Sequence, residues 1–204
     1  MKYFITLCFA GALLFSACSN PKQSPTEPDS TAQADSGRAK NSFFPVADYL
    51  EAEILHADSS LLAFKKIIIR DGHTDSVFIE VPEFNKLALE FVPRELADSS
   101  FEKNFTESAF QDRATRSVTF SYSTTTPNME LQRVDVTTVS GLRAQQVKSI
   151  YLEKSHISGD SVVLKKLFWR SKRGFEIATI TRVKGKQTGE EQIRVVWDDT
   201  PEEE

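Results

Sequence analysis

Cysteine is nearly absent from this chain: two among 204 residues, Cys8 and Cys18, both close to the start. Everything beyond residue 18 is therefore without thiolate catalysis or cysteine metal ligands. Histidine is also scarce, and none of the three, His56, His73 and His156, has a partner at catalytic or metal-ligand spacing. His73 lies in Asp71-Gly72-His73-Thr74-Asp75, which reads as a hairpin turn rather than a calcium loop, because the further oxygen ligands are missing. There is no Gly-x-Ser-x-Gly, no His-Glu-x-x-His and no glycine-rich phosphate loop. Carboxylate pairs such as Glu51/Glu53 and Glu190/Glu191 read as solvated positions. No catalytic residue, metal or cofactor is assigned, and the expectation is a non-enzymatic protein. Long apolar runs are lacking too. The longest, Phe4 to Phe15, falls short of the roughly 18 residues that span a bilayer as a helix.

What that run does fit is an export signal. Met1-Lys2 supplies a positive start, the apolar stretch follows, and Ser16-Ala17 are small residues at a cleavage site. Leu14-Phe15-Ser16-Ala17-Cys18 resembles the bacterial lipobox, which implies that residues 1–17 are a lipoprotein signal peptide and that the Cys18 sulfur receives a diacylglycerol. With Cys8 discarded and Cys18 acylated, no internal disulfide can form. Several acyl chains anchor a protein stably where one does not, each buried methylene contributing about 0.8 kcal/mol. Residues 18–41 are then the lipidated cysteine and a tether of Ser, Thr, Pro, Gln, Asp and Ala, too polar to offset the entropy of ordering it. As a flexible coil it holds a domain roughly 25–30 Å from its anchor. Ser19-Asn20 carry none of the acidic residues that direct some lipoproteins to the cell surface. The expected address is the outer membrane, facing the periplasm.

Residues 42–197 have the length of one domain with one core. Pro45 can open a helix whose stripe is Val46, Leu50 and Ile54, ending near Asp58-Ser59. Residues 63–69 read as a strand, Asp71-Gly72 as a turn and Val77-Phe78-Ile79 as its return. Pro82 opens a second helix with Phe84, Leu87, Ala88 and Phe91 at helical spacing, and Pro93 ends it. A short third helix is expected over 99–109. From residue 116 the period becomes two, with runs at 116–123, 131–139, 146–156, 161–170, 174–184 and 191–197 separated by turn signals. The predicted fold is α+β: a curved antiparallel sheet, made of a six-strand C-terminal meander and an N-terminal hairpin, packed on two to three helices.

Charge divides along the same boundary. Residues 42–112 carry fourteen acidic and six basic side chains, a net of −8, whereas 113–197 carry seven acidic and fifteen basic, a net of +8. Acidic helices complementing a basic sheet explain this within one fold; a basic surface that meets an anionic lipid headgroup or glycan is the sharper alternative. Residues 198–204, Asp-Asp-Thr-Pro-Glu-Glu-Glu, form an acidic tail expected to be disordered. The densest basic cluster, Lys165, Lys166, Arg170, Lys172 and Arg173, interleaves with Phe168 and Trp169. Such a pattern suits nucleic acid, but export removes nucleic acid as a partner and leaves an envelope protein, anionic lipid or glycan. The plainer account of the cluster is a strand running into an exposed turn, with Trp169 or Phe168 in the core. Asp29-Ser30-Thr31 resembles the Asp-Ser/Thr-apolar sites of O-glycosylation in exported Bacteroidota proteins, and Ser30 in the tether is the accessible candidate.

Together, the lipobox, Ser42-Phe43-Phe44-Pro45-Val46, Lys165-Lys166-Leu167-Phe168-Trp169 and Val195-Val196-Trp197-Asp198 make the chain resemble an uncharacterised family of Bacteroidota lipoproteins. The resemblance implies a membrane anchor and a helix/antiparallel-sheet domain, and no activity. Two functions follow as expectations. One is a binding or structural module of the envelope. The other is a carrier of lipid or another apolar ligand between sheet and helices, which needs an empty lined cavity there. Replacing Cys18 by Ala should move the protein from the membrane to the soluble fraction on cell fractionation. Retention of the variant in the membrane would refute the anchor.

Overall fold

The computed structural model describes residues 43–97, 101–126, 128–141 and 145–198. Cys18, Ser30, the tether and residues 199–204 lie outside them. Helix α1 (Val46–Asp58) begins after Pro45 and buries Val46, Ala47, Leu50, Ile54 and Ala57, the face that its apolar spacing predicts. Strands β1 (Phe64–Arg70) and β2 (His73–Ile79) form a hairpin through Asp71-Gly72, both with positive φ, the geometry an Asp-Gly pair favours. Helix α2 (Val81–Ala88) carries Pro82 in its first turn and runs into a 3-10 turn, Leu89–Phe91. Two one-turn helices follow, α3 (Arg94–Ala97) and α4 (Phe101–Asn104). Then come β3 (Phe105–Asp112), β4 (Ser117–Thr124), β5 (Leu131–Ser140), β6 (Gln145–Ser158), β7 (Ser161–Arg170), β8 (Gly174–Val183) and β9 (Lys186–Val196).

All nine strands belong to one antiparallel sheet in the order β2-β1-β9-β8-β7-β6-β5-β4-β3. The α+β class stands, and the counts change. The meander has seven strands, not six, and the hairpin extends it because β1 pairs with β9, from Lys65↔Val196 to Arg70↔Glu191. The third helix predicted over 99–109 is a single turn, Phe101–Asn104, and the remainder is β3, paired with β4 from Phe105↔Thr124 to Asp112↔Ser117. β3 is an edge strand exposed along most of its length, so no alternation of apolar residues marks it. Its turn lacks Gly, Pro and Asn. Asp112 closes it instead, accepting from the Ala114 N–H at 2.8 Å and the Thr115 hydroxyl at 2.8 Å. β9 starts at Lys186 rather than 191, since its first half is polar on both faces.

The helices cover one sheet face. Two rows of side chains cross it in register: Val136, Ile150, Trp169, Phe175 and Val195, then Val134, Leu152, Leu167, Ile177 and Ile193. Trp169 is fully buried, with Phe91, Phe175 and Trp197 rings centred 5.2, 5.4 and 5.6 Å away. Phe64 stacks on Phe84 at 4.1 Å. Each aromatic pair contributes about 0.5–1.5 kcal/mol beyond burial itself. These rings fill the space between α1, α2 and the centre of the sheet. The opposite face carries polar pairs, Arg133–Asp135 at 2.8 Å, Tyr151–Glu153 at 2.9 Å and Arg194–Glu176 at 3.1 Å, as a water-facing antiparallel surface should.

The acidic helices meet the basic sheet directly. Lys66 pairs with Glu83 of α2, and Lys165 with Glu90 at 2.5 Å. The charge asymmetry is in this part internal to the fold. Gly174 opens β8 where the backbone of β9 passes closest: a Cβ there would meet the Val195 carbonyl oxygen well inside van der Waals contact. Gly174→Ala should lower the free energy of unfolding by about 1–3 kcal/mol, read from urea melts followed by tryptophan fluorescence.

Candidate functional site

β5 and β6 run further than β7 and β8 at one end of the sheet, which opens a notch. The last β6–β7 pair is Ser149↔Arg170, while β5–β6 pairing continues to Ser140↔Gln145. Between Thr137↔Ser149 and Thr138↔Val147 the register slips by one residue, so Lys148 is an extra residue in β6. Such a bulge re-aims a side chain and bends the strand. The Lys148 carbonyl accepts the Ser171 N–H at 3.2 Å, which ties the notch to the β7–β8 turn.

That turn is Arg170-Ser171-Lys172-Arg173, closed by the Arg173 N–H on the Arg170 carbonyl at 3.1 Å. Lys172 has φ +63°, a left-handed conformation that a non-glycine residue adopts at a cost. Its N–H donates to the Glu53 carboxylate at 2.7 Å, and the same oxygen accepts from Trp169 Nε1 at 3.3 Å. Glu53 of α1 is thus half-buried and holds the turn, which corrects its reading as a solvated position. A carboxylate that accepts two N–H groups is well satisfied. One turn earlier on α1, Tyr49 Oη lies 2.7 Å from Ser171 Oγ.

Notch, turn and the N-terminal end of α1 together enclose an open cleft of about 810 Å³. Lys148, Arg170, Lys172 and Arg173 line it, with Glu53 as the one acidic side chain among the described residues; Phe44, Tyr49 and Phe168 supply its apolar surface. Of the five basic residues singled out from the sequence, the fold brings three here. Lys165 lies on the helix-covered face, engaged with Glu90, and does not reach the cleft. Lys166 lies on the opposite face, in register with Glu153 and Ala178. Lys148 escaped the sequence reading, because a lone lysine between Val147 and Ser149 gives no local sign of the bulge that aims it. Of the two aromatics, Trp169 is the core residue and Phe168 the exposed one.

Among the described residues, no three His, Cys, Asp or Glu side chains converge as metal ligands. His73 sits beside the β1–β2 turn with Nδ1 3.1 Å from the Asp71 carbonyl. No described helix is long and apolar enough to cross a membrane. No family model and no curated protein matches the chain.

Burial pushes the Tyr49 phenol above its ordinary range, opposed by the hydrogen bond with Ser171 and reinforced by the charge of Glu53. Burial and Glu153 likewise raise Tyr151. The folded protein therefore keeps phenolic protons that the unfolded chain loses above about pH 10. Native binding of more protons makes stability fall as pH rises. Unfolding free energy should decline from about pH 10 upward, and Tyr49→Phe should flatten that decline. Melts across the alkaline range test it, with tyrosinate absorbance reporting which phenol titrates late.

Proposed function

We propose that the protein is a membrane-anchored lipoprotein of the cell envelope, a non-enzymatic module whose basic cleft binds an anionic group at the membrane surface. The observation that carries this reading is the cleft itself: four cationic side chains around one carboxylate already engaged by two N–H groups. A concave site of one sign with apolar walls concentrates counter-charged ligands. Aromatic and aliphatic flanks beside lysine and arginine suit a phosphate headgroup whose glycerol and acyl carbons lie against Phe44 and Phe168.

The tether supports the membrane over a soluble glycan as the source of that anion. Described chain begins at Phe43, and Phe44 is part of the cleft wall. Lipid on Cys18, followed by a coil of roughly 25–30 Å, would attach the domain by the same end that bears the cleft. The carrier alternative lacks comparable support, because aromatic and aliphatic side chains occupy the space it would need between helices and sheet.

A chain of Ser19–Glu204, which removes the anchor, allows the test. It should bind phosphatidylcholine vesicles containing phosphatidylglycerol, and bind pure phosphatidylcholine vesicles weakly. Removing the charges of Arg170 and Lys172 together (R170Q/K172Q) should weaken that binding roughly thirtyfold, at about 1 kcal/mol per cation near an anionic surface. The same change at Lys166 should matter little. Equal binding to both vesicle types, or an unaffected double variant, would sink the proposal.

A further inference from the structure

β2 and β3 are the two edges of the sheet, and they differ. β2 is blunted. The two-residue turn Asp71-Gly72 makes Arg70↔His73 a hydrogen-bonded pair. Alternation along the strand then turns the N–H groups of Thr74, Ser76 and Phe78 outward. The middle one is already taken, because Asp75 Oδ1 accepts the Ser76 N–H at 2.8 Å. A carboxylate at the edge is one of the devices that prevent a further strand from adding.

β3 has no such device among the described residues. The Thr125 N–H donates to the Asn104 carbonyl at 2.9 Å, which sets the phase of the β3–β4 ladder. Thr106, Ser108, Phe110 and Asp112 are thus the residues that bond to β4, opposite Ser123, Ser121, Thr119 and Ser117. Glu107, Ala109 and Gln111 turn both backbone groups away from it. All three are exposed, and no described side chain accepts from their N–H groups. The strand pairs with β4 without a bulge and contains no Lys, Pro or Gly. On its outer face Phe110 is 69 % exposed.

We propose that β3 is a dimerisation edge, which pairs antiparallel with β3 of a second copy and joins the two nine-stranded sheets. The strand complements itself about Ala109. In that register Ala109 faces Ala109 of the second copy, and Glu107 and Gln111 face each other twice. Every outward N–H and carbonyl of these three residues then finds a partner, and no like charges stand opposite. Each Phe110 lies over the second copy's Ser108, a large side chain against a small one. Centring the pairing on Glu107 would oppose two carboxylates. Centring it on Ser108 would set Gln111 against Phe105, which is buried where α4 ends. One strand pair is a small interface, so the dimer is reversible. The pairing rests on the edge alone and is independent of the anion-binding function.

The chain of Ser19–Glu204 keeps every described residue and contains no cysteine. Sedimentation velocity at rising concentration should show it approaching twice the monomer mass. Ala109→Pro should abolish that rise and leave the far-UV spectrum unchanged, since proline is tolerated where an edge N–H faces solvent. Oxidation reads the register. Ser108→Cys and Phe110→Cys chains, when mixed, should couple several-fold faster than either chain alone, because each position faces the other and not itself. A monomer at every concentration, a dimer that survives Ala109→Pro, or open-ended assembly would overturn the proposal. Equal coupling of mixed and separate chains would overturn it too, and decides the matter alone if Ala109→Pro unfolds.

Discussion

The Trp169 indole and the Glu53 carboxylate meet at 3.3 Å, and both the core and the cleft are arranged around that contact. Trp169 belongs to the central strand of the sheet, with β8 and β6 on either side. Its ring packs among Phe91, Phe175 and Trp197, while its N–H needs a polar partner once water is gone. α1 provides one because Glu53 falls beside its buried stripe, not opposite it. The same carboxylate oxygen takes the Lys172 N–H, which fixes the turn that follows β7. One side chain thereby couples the seating of a helix to the shape of a surface loop. Loss of that carboxylate would leave a buried indole N–H unsatisfied and release a left-handed turn together, a larger effect than either hydrogen bond alone.

Charge is distributed by the same logic. The helical half is acidic and the sheet basic, and where they meet, Lys66–Glu83 and Lys165–Glu90 neutralise one another. Partly exposed pairs of this kind contribute little to stability, of the order of 0–1 kcal/mol. Their effect is on orientation: the acidic side of α2 and of the turn after it finds lysines only on the helix-facing surface of β1 and β7. At the β7–β8 turn α1 supplies one carboxylate, Glu53, and two N–H groups already engage it. Internal complementarity accounts for the middle of the sheet, and the cleft is what remains at its end.

Legibility from sequence followed burial. Elements with one face in the core announced themselves: α1 through Val46, Leu50 and Ile54, α2 through Phe84 and Ala88, β5 through Leu131, Val134 and Val136. β3 was missed because Thr106-Glu107-Ser108-Ala109 is exposed and has fair helix propensity, and because a tertiary pairing with β4, not a local pattern, makes it a strand. The join between β1 and β9 was also hidden, since pairing between segments more than a hundred residues apart leaves no periodic trace. At the cleft, Arg170, Lys172 and Arg173 were visible as a basic run beside a turn. Lys148 and Glu53 were not, because a β-bulge and a cross-layer hydrogen bond are products of the assembled sheet. Lys165 and Lys166 looked equivalent to their neighbours, yet strand alternation sends them to opposite faces, where carboxylates already stand.

The location of the cleft follows from strand length. A sheet whose strands all ended together would present a flat rim of turns. Here β5 and β6 project past the β7–β8 turn, and the bulge at Lys148 bends the projecting part, so that rim becomes concave. Phe44, near the described beginning of the chain, lines this rim, and the N–H of Asp198 donates to the Arg173 carbonyl beside it. An anchor upstream of Phe43, as proposed, would bring this rim towards the membrane. A rim built from a turn and a bulge can meet a ligand without disturbing the aromatic core behind it.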